Sequence, residues 1–203
     1  MSKQPGRRGK DNRQRIVEAA NELFYHKGYG RTSFSDIAEA ANFPRGNFYY
    51  YFKTKNQLLE EVLQHRLQGL KAMVNEWTQT YEDPARRLAC LADMIEYSAD
   101  EIVAWGCPIG TLISELGKAD ERLQARARQL FDVIIDWLRE QLEALGHGEQ
   151  SDVLAKLLIS RVQGITTLAH AYHDRTYLDY EVRCLREEIQ RIASREHPYE
   201  CGK

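Results

Sequence analysis

Arg45, Gly46 and Asn47 stand directly behind Pro44, and two of them carry groups that read base edges. A guanidinium matches the paired acceptors of guanine, and a carboxamide matches the donor and acceptor of adenine. Around them Ser33, Tyr49, Tyr50, Tyr51 and Lys55 supply hydroxyls and an ammonium of the kind that bonds phosphates or lines a groove wall without reading sequence. Three consecutive tyrosines spread around a helix, so one of the three is expected to pack inward. Other chemistry is thinly represented. His170, His173 and Asp174 share one helical face at i, i+3, i+4, a spacing that a metal can use, but no second ligand cluster accompanies them and no metal site is assigned. Neither a glycine-rich phosphate loop nor a nucleophile elbow occurs, so no catalytic residue and no cofactor is expected.

The elements that must position the first group are punctuated within one stretch. Ser33 and Asp36 have the spacing of a capping box, which predicts a helix starting at Ser33 with Ile37, Ala38 and Ala41 on its apolar face. Asn42 tolerates the left-handed conformation that ends such a helix, and Pro44 pre-sets the backbone for the next one. In that second helix Phe48 and Phe52 fall four apart and point inward. Thr54 and Gln57 form another capping box, which places Lys55 at the amino end of a third helix, where N–H groups attract phosphate. Ahead of these, Ile16, Ala20, Leu23 and Phe24 predict a helix from residue 11 or 12 to Lys27, closed by Gly28. Residues 1–10 lack apolar periodicity and read as a basic arm, with Arg7, Arg8 and Lys10 either reaching DNA or serving as a solubilising tail.

Gly28, Thr32, Ser33, Asp36 to Ala38, Ala41, Gly46, Phe48-Tyr49, Tyr51-Phe52, Lys53 and Lys55 together resemble the amino-terminal domain of the TetR family of bacterial transcriptional repressors, over roughly residues 11 to 65. Ser35, Pro44 and Tyr50 depart from the family's usual residues. The resemblance implies double-stranded DNA as partner, a homodimer on a palindromic operator, and release by a small-molecule effector. It also implies that the helix beginning at Lys55 rests its amino end on backbone phosphate and transmits ligand occupancy to the reading helices.

Composition agrees with that organisation. The net charge of the 203 residues is −2, yet residues 1–55 hold eleven Lys/Arg against five Asp/Glu, and the excess of acid lies in the remainder. The fold class expected is all-α: a three-helix helix-turn-helix DNA-binding domain over 11–54, behind the arm 1–10, and a larger helical ligand-binding and dimerisation domain over 55–203. No stretch of 18 apolar residues and no hydrophobic leader occurs, and Cys90, Cys107, Cys184 and Cys201 show no paired spacing, so a reducing cytoplasm and no membrane partner are expected.

Within 55–203 the periodicity predicts helices over Thr54–Tyr81, Ala85–Trp105, Glu121–Leu145, Ser151–His173 and Asp179–Ala193. Bulky and soft side chains on the intervening helices, Trp77, Met94, Tyr97, Trp105, Leu112 and Phe131, are the candidate effector pocket. Cys107 joins them. It stands where an N-cap would if Pro108 opens a helix, and the GCPIG segment resembles one in a branch of the family where such a cysteine senses electrophiles or oxidants; a packed thiol is the alternative. Leu158, Val162, Ile165 and Leu168, with Val182, Leu185 and Ile189, form seams suited to a two-fold four-helix bundle, the alternative being the subunit's own core.

Overall fold

A computed structural model of the chain describes residues 7–116 and 121–195, and all of its regular structure is helical. The residues divide into two compact units. One comprises the described residues up to Gly69 and those between Thr111 and Leu130; the other comprises Leu70–Gly110 and the described residues from Phe131 onward. The single boundary expected at residue 54 is therefore replaced. The helix entered at Lys55 continues unbroken past it, and a later segment returns to complete the first unit.

In the first unit α1 (Arg7–His26) lays Ile16, Val17, Ala20 and Phe24 into the core. It begins four residues before its expected start, so Arg7 to Lys10 are helical rather than an arm; residues 1–6 lie outside the described residues. Arginine and lysine are good helix formers but leave no apolar period to detect. Next, α2 (Phe34–Ala40) adds Ile37 and Ala38, and α3 (Arg45–Tyr51) adds Phe48. The first half of α4 (Lys55–Thr80) closes over them with Leu58, Leu59, Val62 and Leu63. Phe48 is the hub, its ring 4.7 Å from Phe34 and 6.3 Å from Phe52.

The second unit runs through α5 (Pro84–Tyr97) and α6 (Ala99–Trp105). The single helix expected over this span breaks at Ser98, which leaves helical geometry with φ −96° and ψ 14°. Then α7 (Gly110–Leu116), from its second residue Thr111 onward, and the first turns of α8 (Glu121–Ala144) belong to the first unit, burying Leu112, Leu116, Leu123, Ala127 and Leu130. The chain finishes with α9 (Ser151–Tyr172) and α10 (Arg175–Ala193). The last helix opens earlier than its periodicity suggests, because the Asp174 carboxylate caps it by accepting from the Tyr177 N–H at 2.9 Å. Leu91, Ile95, Leu138, Leu158, Val162, Leu185 and Ile189 share one apolar core. At its edge a polar network is fully paired: Arg87 donates to Gln141, Thr78 and Tyr81, and the Trp137 indole N–H donates to the Thr78 hydroxyl at 2.8 Å. Among the described residues no helix is long and apolar enough to cross a membrane.

Candidate nucleic-acid interface

The start of α2 is built as its residues dictate. The Ser33 hydroxyl accepts from the Asp36 N–H at 3.2 Å while the Asp36 carboxylate accepts from the Ser33 N–H at 2.7 Å. Lys27 adds an ion pair at 2.7 Å. The Lys27 ammonium, followed by the Ser33 backbone and hydroxyl, holds the Asp36 carboxyl well below the usual carboxylate range. The Ser33 hydroxyl proton stays available on an exposed edge.

Asn42 ends α2 with φ +48°, as its side-chain type permits, and the Phe43 N–H bonds back to the Ala38 carbonyl at 2.8 Å. Arg15 of α1 donates to the Ala41 carbonyl at 2.6 Å, satisfying an orphan acceptor of the helix end. Pro44 is the extended cap with ψ 121°, and α3 follows. With Phe48 and Phe52 buried on one side, Arg45, Gly46, Asn47, Tyr49 and Tyr50 lie on the outside, Tyr50 at 78% exposure. Arg45, 66% exposed, pairs with Glu39 at 3.6 Å, a solvated contact of about 0 to 1 kcal/mol that a stronger acceptor can displace. A methyl placed on Gly46 meets no atom within 4 Å. Crowding inside the free protein therefore gives no reason for a glycine there. A polar groove of about 450 Å³ runs along this helix, bordered by Arg15, Asn42, Asn47 and Tyr50. Arg15 and Asn12 of α1 carry no signal of this in the sequence; only the packing of α1 beside the turn brings them to the groove.

Two of the expected contact residues are engaged elsewhere. Tyr51 is half-buried: its hydroxyl accepts from Asn12 at 3.2 Å, its carbonyl accepts from Arg13 at 3.1 Å, and its ring meets Phe43 edge-on at 5.4 Å. It is the tyrosine that packs inward. Lys55 directs its ammonium into the protein, donating to the carbonyls of Tyr29 at 2.7 Å and Thr32 at 3.0 Å. Burial lowers its pKa, opposed by the charge of Glu115.

The candidate pocket residues in the second unit do not converge. Trp77, Met94 and Phe131 pack part-buried against the core, and Trp77 lies 5.3 Å from Trp137. Tyr97 is 94% exposed and Trp105 is also exposed, while Leu112 is buried in the first unit. Regular helix begins at Gly110, not Pro108, yet the Cys107 sulfur accepts from the Gly110 N–H at 3.4 Å, the i to i+3 bond of a cap, and from the Gln163 amide at 3.3 Å. His170 and His173 each place Nδ1 by the Val103 carbonyl, at 3.1 and 3.2 Å, and among the described residues no group of three metal-ligating side chains forms.

The seam expected between subunits is also corrected. Leu158, Val162, Ile165, Val182, Leu185 and Ile189 are buried in the subunit's own core, and of that set only Leu168 is exposed, at 46%. The reason is that α9 carries apolar residues on its outer side as well as its inner one. Its exposed stripe is Val153, Leu157, Ser160, Gly164 and Leu168, and Tyr180 on α10 is exposed as well.

Residues 16–62 match the model of bacterial regulatory proteins of the tetR family, and residues 84–182 match the C-terminal domain of LmrA/YxaF-like transcriptional regulators. The chain is 30% identical over 185 residues to an HTH-type transcriptional regulator of Mycobacterium tuberculosis, covering 86% of this chain and 92% of that protein. It is 27% identical to the HTH-type transcriptional repressor DhaR of Mycobacterium sp. strain GP1, over 82% of this chain and 86% of the other. A crystal structure of a TetR transcriptional regulator from Legionella pneumophila aligns with a TM-score of 0.74 at 25% identity, covering 92% and 98% of the two chains. One from Chloroflexus aurantiacus shares the fold at 0.80 and 23%, covering 91% and 96%.

Proposed function

Because the chain belongs to the TetR family of bacterial regulatory proteins, we propose that it is a sequence-specific repressor, a two-fold dimer that holds a palindromic operator and releases it when a small molecule enters the second unit. Regulators of this family are DNA-binding proteins that act as dimers. The observation that carries the reading is the outer face of α3. Arg45, Asn47, Tyr49 and Tyr50 project from a helix whose opposite side is fixed by Phe48 and Phe52, which are almost fully buried. A rigid apolar back with a solvated polar front is what insertion into a major groove requires. Arg45 and Asn47 take base edges; Ser33, Tyr49 and Tyr50 take phosphates and groove walls.

One such helix covers only a few base pairs, so two copies about 34 Å or a multiple apart are needed for a useful specificity. The outward stripe of α9, from Val153 through Leu157, Ser160 and Gly164 to Leu168, supports the two-fold seam. It is apolar or small along its length, and Leu157 and Leu168 remain 40% and 46% exposed in the subunit. An effector site in the second unit draws its support from the match of residues 84–182 to the C-terminal domain of LmrA/YxaF-like regulators.

Fluorescence anisotropy with duplexes from the DNA flanking the protein's own gene tests this, at two salt concentrations and with Arg45→Ala beside the parent. The substitution is expected to cost about 1 to 3 kcal/mol per half-site and to relax preference at the base pair it reads. Equal binding by both proteins, with no preference among duplexes, would refute specific readout.

A further inference from the structure

The turn that leads from α1 into α2 is held from both sides by groups remote in sequence. Gly28 takes φ +87°, and buried Thr32 donates its hydroxyl to the Gly28 carbonyl at 2.7 Å. The next two amides face one carboxylate: the Tyr29 N–H lies 2.9 Å from Glu115 Oε2 and the Gly30 N–H lies 2.5 Å from Glu115 Oε1. The carbonyls face the other way. Lys55 Nζ donates to those of Tyr29 and Thr32, stands 3.4 Å from that of Gly30, and lies 4.3 Å from the centroid of the Tyr29 ring. The Tyr29 hydroxyl donates to Asn56 Oδ1 at 2.5 Å. The fit is close on the acid side, where a Cβ on Gly30 would stand 3.1 Å from Glu115 Oε1 and one on Gly28 would stand 3.3 Å from Oε2.

We propose that Glu115, at the end of α7, is a positioning residue for DNA reading: its carboxylate grips the amide side of the α1–α2 turn while Lys55 grips the carbonyl side, and the pair together fix α2 and thereby α3. The proposal rests on α3 being the reading helix and deepens that reading. It also gives Lys55 a role different from phosphate contact, since its ammonium is directed at three backbone oxygens. Both charges act on peptide groups of one short loop, where charge-assisted bonds are short and directional. A shift of α7 by about 1 Å away from the turn breaks the hydrogen bond from the Tyr29 N–H and stretches the one from the Gly30 N–H to the limit of range. The entry angle of α2 then loses its reference.

The test uses the full chain, the operator duplex selected by anisotropy, and Glu115→Gln, Glu115→Ala, Lys55→Met and the Glu115→Ala/Lys55→Met double variant. Glu115→Gln keeps one acceptor oxygen and serves as the conservative variant should alanine fail to fold. Dissociation constants are measured across a salt series, together with amide exchange at Tyr29 and Gly30. The expected result is weakening of about tenfold or more for Glu115→Ala, a smaller loss for Glu115→Gln, faster exchange at those two amides, and a salt slope unchanged from the parent in every variant. The double variant falls short of the sum of the singles, because the two groups act on one turn. A Lys55→Met salt slope shallower by about 0.9 per subunit marks a direct phosphate contact and overturns the assignment of Lys55. Parent affinity in both Glu115 variants overturns the role of Glu115. Arg45→Ala, run in parallel, separates the two failures: if it weakens binding and the Glu115 variants do not, only the clamp falls, whereas if none of them weakens binding, the reading of α3 falls with it.

Discussion

Gly46→Ala separates folding from DNA approach. In the free protein the added methyl meets nothing within 4 Å, so it carries no steric penalty, and alanine is the better helix former by up to about 1 kcal/mol in a helix interior. At the second residue of α3 (Arg45–Tyr51) about half of that is a fair expectation, which for a chain of this size raises Tm by roughly 1 to 2 °C. On DNA the same methyl is placed between the helix backbone and the duplex. Inserting one methyl into a closely packed contact costs about 1 to 3 kcal/mol, and a dimer carries two, so the operator Kd should rise by roughly 30-fold to more than 10⁴-fold. Differential scanning fluorimetry and anisotropy on the same preparation give both numbers. A variant that is more stable and binds the operator as tightly as the parent would refute the reasoning, because the amino end of α3 would then not approach DNA closely.

Phe48→Ala removes the ring that links Phe34 and Phe52, and should cost about 3 to 5 kcal/mol, seen as a lowered denaturation midpoint with operator binding abolished. Asp36, whose folded pKa is depressed, contributes stability that is present above the unfolded value near 3.9 and is lost as pH falls through the folded one. Asp36→Asn should therefore lower Tm at pH 7, with the gap to the parent closing as pH is taken from about 4 toward 2; a gap constant over that window would contradict the ion pair with Lys27. Leu157→Glu combined with Leu168→Glu changes only exposed positions and should yield a folded monomer by sedimentation velocity, with operator affinity collapsed. If that protein still sediments as a dimer, the seam lies elsewhere.

The features legible in the sequence are local ones. The Ser33–Asp36 box, the left-handed Asn42 and the placement of Pro44 depend on residues within four positions of one another, and their geometry comes from side-chain type. Outward placement of Arg45, Asn47 and Tyr50 comes equally from the four-residue step between Phe48 and Phe52. The remainder needs tertiary information. In α9, Val153, Leu154, Leu157, Leu158, Ile159, Val162, Ile165 and Leu168 put apolar side chains on both the inner and the outer side, so periodicity alone points to the inner side as the partner surface. Lys55 reads as a phosphate ligand because its acceptors lie 23 to 26 residues away and the acid that balances them stands at residue 115. Bulk alone groups Tyr97 with a pocket, but the break at Ser98 leaves it on the outside.

The first unit is not a contiguous stretch of chain. Leu112, Leu116 and Leu123 are among its buried residues, and Arg126 and Gln129 line the same shallow cleft as Leu63 and Leu67. During translation the reading head therefore stays unfinished until the ribosome has passed Leu130. Transplanting that head onto a relative by cutting after Gly69 would leave an apolar flank bare; a workable graft has to bring the span from Thr111 to Leu130 along.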